Sequence, residues 1–102
     1  MKLTERQRKF LRTRAHALKP VIALGDKGVT RSFVDELNAT LEHHELIKLK
    51  VRAGDRAARD AAIERLCADA RAVLISRVGN VATLYRPRRT KPGIVLPVAG
   101  TG

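Results

Sequence analysis

Lys19-Pro20-Val21-Ile22-Ala23-Leu24-Gly25-Asp26-Lys27-Gly28-Val29-Thr30-Arg31-Ser32-Phe33-Val34 is the stretch whose reading decides the rest of the chain. Proline at position 20 ends whatever helix precedes it, because the residue before a proline is pushed away from helical angles. Val21 to Leu24 then reads as a short buried strand. Phe33, Val34, Leu37 and Leu41 recur at helical spacing, and Thr30 suits the N-cap of that helix. Between strand and helix lies Gly25-Asp26-Lys27-Gly28. Its glycines permit backbone angles other residues resist and allow another chain to come close. The N–H groups opening the next helix favour an anion, and Lys27 adds a full positive charge at the tip. The stretch reads as a phosphate-holding loop between a strand and a helix. A plain turn fits the two glycines alone, so the reading depends on what surrounds them.

Charge supplies that context. The 102 residues carry 21 Lys and Arg against 10 Asp and Glu, a net charge of +11 with a pI near 11.1. A domain this basic is suited to a polyanion. The excess is clustered: Lys2, Arg6, Arg8, Lys9, Arg12, Arg14 and Lys19 crowd the first twenty residues, and Arg86, Arg88, Arg89 and Lys91 follow the last strand. Acids gather at Asp35, Glu36, Glu42 and Glu45. A basic face and a more acidic one are expected.

Working outward, Thr4 to about Leu18 forms a first helix, with Thr4 and Gln7 spaced as a capping box. Phe10, Leu11, Ala15 and Leu18 share one side of it, and Arg6, Lys9 and Arg12 lie on the other. Its apolar side is too short to favour a membrane surface. Leu46 to Val51 is a strand with Ile47, Leu49 and Val51 on one face and Lys48 and Lys50 on the other; Arg52 extends the basic side. Asp55 caps a third helix reaching about Ala70. Ala72 to Val78 and Val81 to Arg86 form a hairpin about Gly79-Asn80. One hairpin face carries Val73, Ile75, Ala82 and Leu84, the other Leu74, Val78, Val81 and Tyr85, and the pattern leaves open which is inward. Residues 1–87 then form one domain, and 88–102 a basic tail, poorly ordered or loosely packed. The expected fold is α/β (α+β), with three helices on a four-stranded mixed sheet in two or three layers.

No catalytic set is apparent, so an enzyme is not expected, and no cofactor is implied. His43-His44 lacks the spacing of a helical zinc pair and suits a helix end. Cys67 is single, lies on the apolar side of helix three and fits a reducing compartment. Without a signal-peptide pattern or a membrane-length apolar run, the cytoplasm is the expected compartment, and a monomer is the expected state.

Three motifs, in order, resemble the CRM domain (chloroplast RNA splicing and ribosome maturation) in its YhbY-type bacterial form. They are Lys19 to Thr30, Leu41-Glu42-His43-His44-Glu45-Leu46-Ile47-Lys48-Leu49-Lys50, and Val78-Gly79-Asn80 with Leu84-Tyr85-Arg86-Pro87. The resemblance spans roughly Leu3 to Pro87. It implies an RNA-binding domain whose Gly-x-x-Gly loop is comparable to that of KH domains, and a link to precursors of the large ribosomal subunit. A general RNA chaperone or regulatory RNA binder is the alternative on the same fold. Asp26 departs from the family pattern by placing a negative charge in the loop. The candidate RNA-binding residues are Gly25, Asp26, Lys27 and Gly28 in the loop, Lys48, Lys50 and Arg52 on the second strand, Arg6, Lys9 and Arg12 on the first helix, and Arg86, Arg88 and Arg89 after the last strand.

Overall fold

The computed structural model describes residues 1–52 and 54–98. Helices α1 (Glu5–Ala15), α2 (Arg31–His44) and α3 (Arg56–Ala70) alternate with strands β1 (Pro20–Leu24), β2 (Leu46–Val51) and β3 (Val73–Val78), and β4 (Val81–Tyr85) closes the order. Each helix starts at the cap its sequence announces. Thr4 Oγ1 accepts from Gln7 N–H at 3.1 Å, and Gln7 Oε1 accepts from Thr4 N–H at 3.0 Å. Thr30 Oγ1 and Asp55 Oδ1 accept from Phe33 and Ala58 N–H at 3.1 and 2.9 Å. These bonds satisfy donors that have no partner within their helices.

The sheet has the order β1-β2-β4-β3, with β1 parallel to β2 and the other pairs antiparallel. β2 lies in the middle and sorts its side chains by alternation. Ile47, Leu49 and Val51 join Leu37, Leu41, Ile63 and Leu66 in a core under α2 and α3. Leu46 joins Leu11, Ala15, Tyr85 and Ile94 in a second core under α1. The sheet is therefore covered by α2 and α3 on one face and by α1 on the other.

Two irregularities modify the simple strand readings. β3 shifts register between Leu74 and Ser76, so Leu74 pairs with Leu84 and Val73 with Tyr85. The hairpin grouping expected above therefore holds only near the turn. Beyond the bulge, Val73 and Ile75 lie with Tyr85 against α1, while Ala82 and Leu84 face α2 and α3. The extra residue of a bulge reverses the alternation from that point on. β1 also shifts between Pro20 and Ile22. Val21 is 54% exposed, so this edge strand is buried on one face only. Pro20 is tolerated because β1 is an edge.

The segment after Pro87 is a correction to the expected loose tail. Its anchor is Glu45, which caps α2 with φ 66° and has a side chain in a residue only 1% exposed. Its carboxylate accepts from the N–H groups of Arg88 at 2.9 Å, Gly93 at 2.6 Å and Ile94 at 3.2 Å. Arg88 in turn donates to the last carbonyls of α2, Glu42 at 2.9 Å and His43 at 2.8 Å. Gly93 must be small here, since a Cβ would stand 3.0 Å from Glu45 Oε1. Ile94 and Leu96 pack into the α1 core, and Pro97 C=O accepts from Gln7 at 3.1 Å. Residues 88–98 thus tie α1 to the end of α2; residues 99–102 of the expected tail lie outside the described residues.

Burial pushes the Glu45 carboxyl pKa up, but the backbone donors of Arg88, Gly93 and Ile94 and the Arg88 charge outweigh it and hold the pKa below the ordinary 4.5. A lowered native pKa means that the stabilisation is full above the unfolded-state value and is lost as pH falls through the native one. Replacing Glu45 with Gln removes the charge and places an NH2 among N–H donors. Denaturant melts at pH 7 are expected to show a loss of about 1–3 kcal/mol. Stability of the variant should also depend less steeply on pH below about 4.5 than that of the wild type.

Candidate nucleic-acid interface

α1 is short. It ends at Ala15, a turn closed by Leu18 N–H to Ala15 C=O at 2.9 Å follows, and the chain enters β1 at Pro20. The helix therefore covers only the end of the sheet marked by Leu46, Ile75 and Tyr85. The rest of that face is open and forms a concavity of about 390 Å³. Arg12, Ala15 and His16 form its helical wall, Lys48, Ser76, Val81 and Thr83 its floor, and Pro20 and Val78 its flanks.

β2 carries the charge through this face. Lys48 stands opposite Pro20 on one side and Thr83 on the other; Lys50 stands opposite Ala23 and Val81. Arg52 N–H donates to Leu24 C=O at 3.0 Å, which places Arg52 beside the start of the glycine loop. From Lys48 to Arg52 the rise is about 13 Å. Among the described residues, none of the ion pairs formed includes Arg12, Lys27, Lys48, Lys50 or Arg52. Like charges along one strand face repel unless something neutralises them.

The loop is a tight turn, closed by Gly28 N–H to Gly25 C=O at 3.1 Å. Gly28 has φ 70°, which favours glycine, whereas Gly25 does not; a Cβ on either would meet nothing within 4 Å. Asp26 and Lys27 are both exposed, so the acid stands beside the base at the tip.

The remaining nominated residues are dispersed. Arg6 and Lys9 border a separate depression with Phe10, Arg14 and Pro97. Arg86 is committed internally, donating to Asn38 Oδ1 at 2.8 Å, Ala70 C=O at 2.9 Å and Asn38 C=O at 3.1 Å. Arg88 is occupied at the end of α2, where it donates to the Glu42 and His43 carbonyls. Arg89 lies with Glu42, Asp69 and Arg71 around a cleft of about 670 Å³ at the far ends of α2 and α3. That cleft is larger than the groove, but Glu42 and Asp69 offset two of its three arginines, and one of the three, Arg86, is held by Asn38 and Ala70. Sequence reasoning missed His16, Ser76 and Thr83 as groove residues. The serine and threonine alternating with apolar residues on β3 and β4 were the available signal.

Tyr85 is 1% exposed, and burial, followed by the nearby Glu45 charge, raises its pKa. It is a core residue. Burial likewise raises Cys67 to about 11, so its thiol stays protonated at neutral pH.

A small α/β domain with one helix-free, basic half-face bordered by a glycine turn is the class these features define. The chain belongs to the CRS1/YhbY (CRM) domain family, whose model matches residues 3–86. It is 38% identical over 85 residues to an RNA-binding protein of Haemophilus influenzae, covering 83% of this chain and 86% of that one. Identity is also 38% over 92 residues with the probable RNA-binding protein PA4753 of Pseudomonas aeruginosa, covering 90% of this chain and 88% of that one. The solution structure of SAV1595 from Staphylococcus aureus superposes with a TM-score of 0.79 at 29% identity, covering 94% of this chain and all of that one.

The two glycines are expected to separate under substitution. Gly28→Ala should cost about 1–2 kcal/mol in thermal or denaturant melts, because it forces a side chain into the left-handed region. Gly25→Ala should leave stability within about 0.5 kcal/mol. A fall in RNA affinity for Gly25→Ala would then report close approach of the ligand, not a disturbed fold.

Proposed function

We propose that the protein binds RNA along the open half of the α1 face and against the Gly25–Gly28 turn, and that it acts in this way in maturation of the large ribosomal subunit. The observation that carries the binding reading is a line of cations, Arg12, Lys48, Lys50 and Arg52, that form no ion pair among the described residues and lead across one open face to the loop with Lys27. The family supports RNA over other polyanions: the curated relatives above are named for RNA binding. The ribosomal assignment rests on the resemblance of the three motifs to single-domain bacterial CRM proteins.

The mechanism is positional. The basic face draws the RNA in by charge. Lys48, Lys50 and Arg52 neutralise successive phosphates, and Ser76 and Thr83 offer hydroxyls to the backbone between them. The exposed turn admits the strand closely, with Lys27 beside it. The N–H groups of Arg31 and Ser32 at the start of α2 add donors. Phosphate contacts fix position and carry little sequence information, so discrimination comes from the shape of the RNA.

If Arg12, Lys27, Lys48, Lys50 and Arg52 each neutralise one phosphate, affinity for single-stranded RNA should fall with salt at a log–log slope of about −3.5. Lys48→Glu with Lys50→Glu should make that slope shallower by about 1.4 and weaken binding to all sequences alike. A wild-type affinity independent of salt would overturn the binding reading. For the cellular role, the tagged protein should sediment with large-subunit precursors in a lysate gradient and leave them as salt rises. Sedimentation at the top at every salt, or crosslinks dispersed over many small RNAs, would favour an RNA chaperone or regulatory binder instead.

A further inference from the structure

The groove does not close at its β3 side. Val78 is 78% exposed and is shared between the flank of the groove and a second concavity of about 460 Å³ around the hairpin turn. Arg56, Arg59, Arg77 and Gly79 line the rest of that second concavity. Three arginines meet there, and two of them, Arg56 and Arg77, share one carboxylate. Asp60 pairs with Arg77 at 2.7 Å and lies 3.9 Å from Arg56. The nearby Asp55 spends a carboxylate oxygen on the α3 cap. Arg59 reaches Gly54 C=O at 3.0 Å with one terminal nitrogen, and Arg77 donates to the Gly79 carbonyl at 2.6 Å. Even so, the group carries an excess of positive charge, and Arg56 is 78% exposed at the side chain.

The concavity is continuous with the site described above in a second way. Val51 N–H donates to Asn80 C=O at 2.7 Å, so the hairpin turn sits against the end of β2 where Arg52 begins. From β1, which ends in the glycine turn, across β2 and β4 to β3 is three strand spacings, about 14 Å. A segment of about four nucleotides occupies a Gly-x-x-Gly clamp of the KH type. A longer strand held at the turn and crossing the lysines leaves the sheet over Val78 and meets the three arginines.

We infer that the concavity of Arg56, Arg59 and Arg77 is a second phosphate-binding site, which takes the backbone of an RNA strand after it has crossed the open sheet face. The inference rests on the RNA-binding reading and extends it from a local clamp to a track running from the β1 edge around the β3 edge. Val78 supplies an apolar step between the two parts. Arg56, with the most exposed side chain, makes the outer contact, and Arg59 and Arg77 form the base.

The test uses the full chain with single-stranded RNAs of four and twelve nucleotides, titrated over a range of salt. Arg56→Gln touches only an exposed side chain, and a thermal melt checks that it folds as the wild type does. On the twelve-mer its log–log salt slope should be shallower by about 0.7, and that of Arg56→Gln with Arg59→Gln by about 1.4. On the four-mer Arg56→Gln should match the wild type. An unchanged slope and affinity on the twelve-mer for Arg56→Gln would overturn the second site while leaving the groove intact. Equal losses on both lengths would also overturn it, because the effect would then be general charge. Failure of the wild type to bind either RNA would overturn this inference together with the reading it rests on.

Discussion

A buried carboxylate at a chain reversal sets the conditions for everything else in this domain. Glu45 sits between α2 and β2 with φ 66° and no side-chain access to water of any consequence. Moving a carboxylate out of water costs several kcal/mol unless hydrogen bonds and opposite charge replace the solvent. Here the replacement comes from Arg88, Gly93 and Ile94, more than forty residues further along the chain. The segment after the last strand is therefore an obligatory part of the fold. It carries Ile94 and Leu96 into the α1 core and completes the seat of α1 on the sheet.

The same residue fixes the phase of β2. The strand begins at Leu46, directly after Glu45, and Arg86 N–H donates to Glu45 C=O at 2.9 Å to register β4 against it. Leu46 is then committed to α1 and Ile47 to α2 and α3. Alternation leaves Lys48 and Lys50 on the α1 side, beyond the reach of an eleven-residue helix. A slip of one residue would bury both lysines and expose Ile47 and Leu49. The chemistry of the open face is thus a consequence of the packing of the closed one.

What the sequence made legible was what neighbours in sequence decide. Thr4, Thr30 and Asp55 announced the helix starts, the alternation of β2 gave its extent and its faces, and the two glycines marked the turn. What stayed hidden depends on partners far along the chain. Nothing local distinguishes Arg86, bonded to Asn38 and Ala70, from Lys48, which has no such partner among the described residues. The bulge at Ile75 has no glycine or proline to signal it, and it is favoured only because it lets Val73 and Ile75 reach α1 while Leu84 faces the other way. The candidate site was legible as residue types and strand faces, but its boundary was not, because that depends on where α1 stops covering the sheet.

The division of the aromatics argues for the mode of recognition. Tyr85 is buried under α1, Phe10 packs on the same core, and Phe33 packs on the other. The groove lining contains no aromatic side chain to stack a base. What it presents are two cations and two hydroxyl-bearing residues, with the exposed glycine turn at the end of the neighbouring strand β1. Such groups hold a sugar–phosphate backbone, and their selectivity lies in spacing. Lysines two residues apart on a rigid strand and a turn fixed at the end of its neighbour can be met together only by a backbone that follows the sheet's own curvature. On the RNA-binding reading proposed above, rigidity of the two cores is what converts an unspecific charge into a preference for RNA of a particular path, and Glu45, directly before β2, ties that strand to the segment that completes the α1 core.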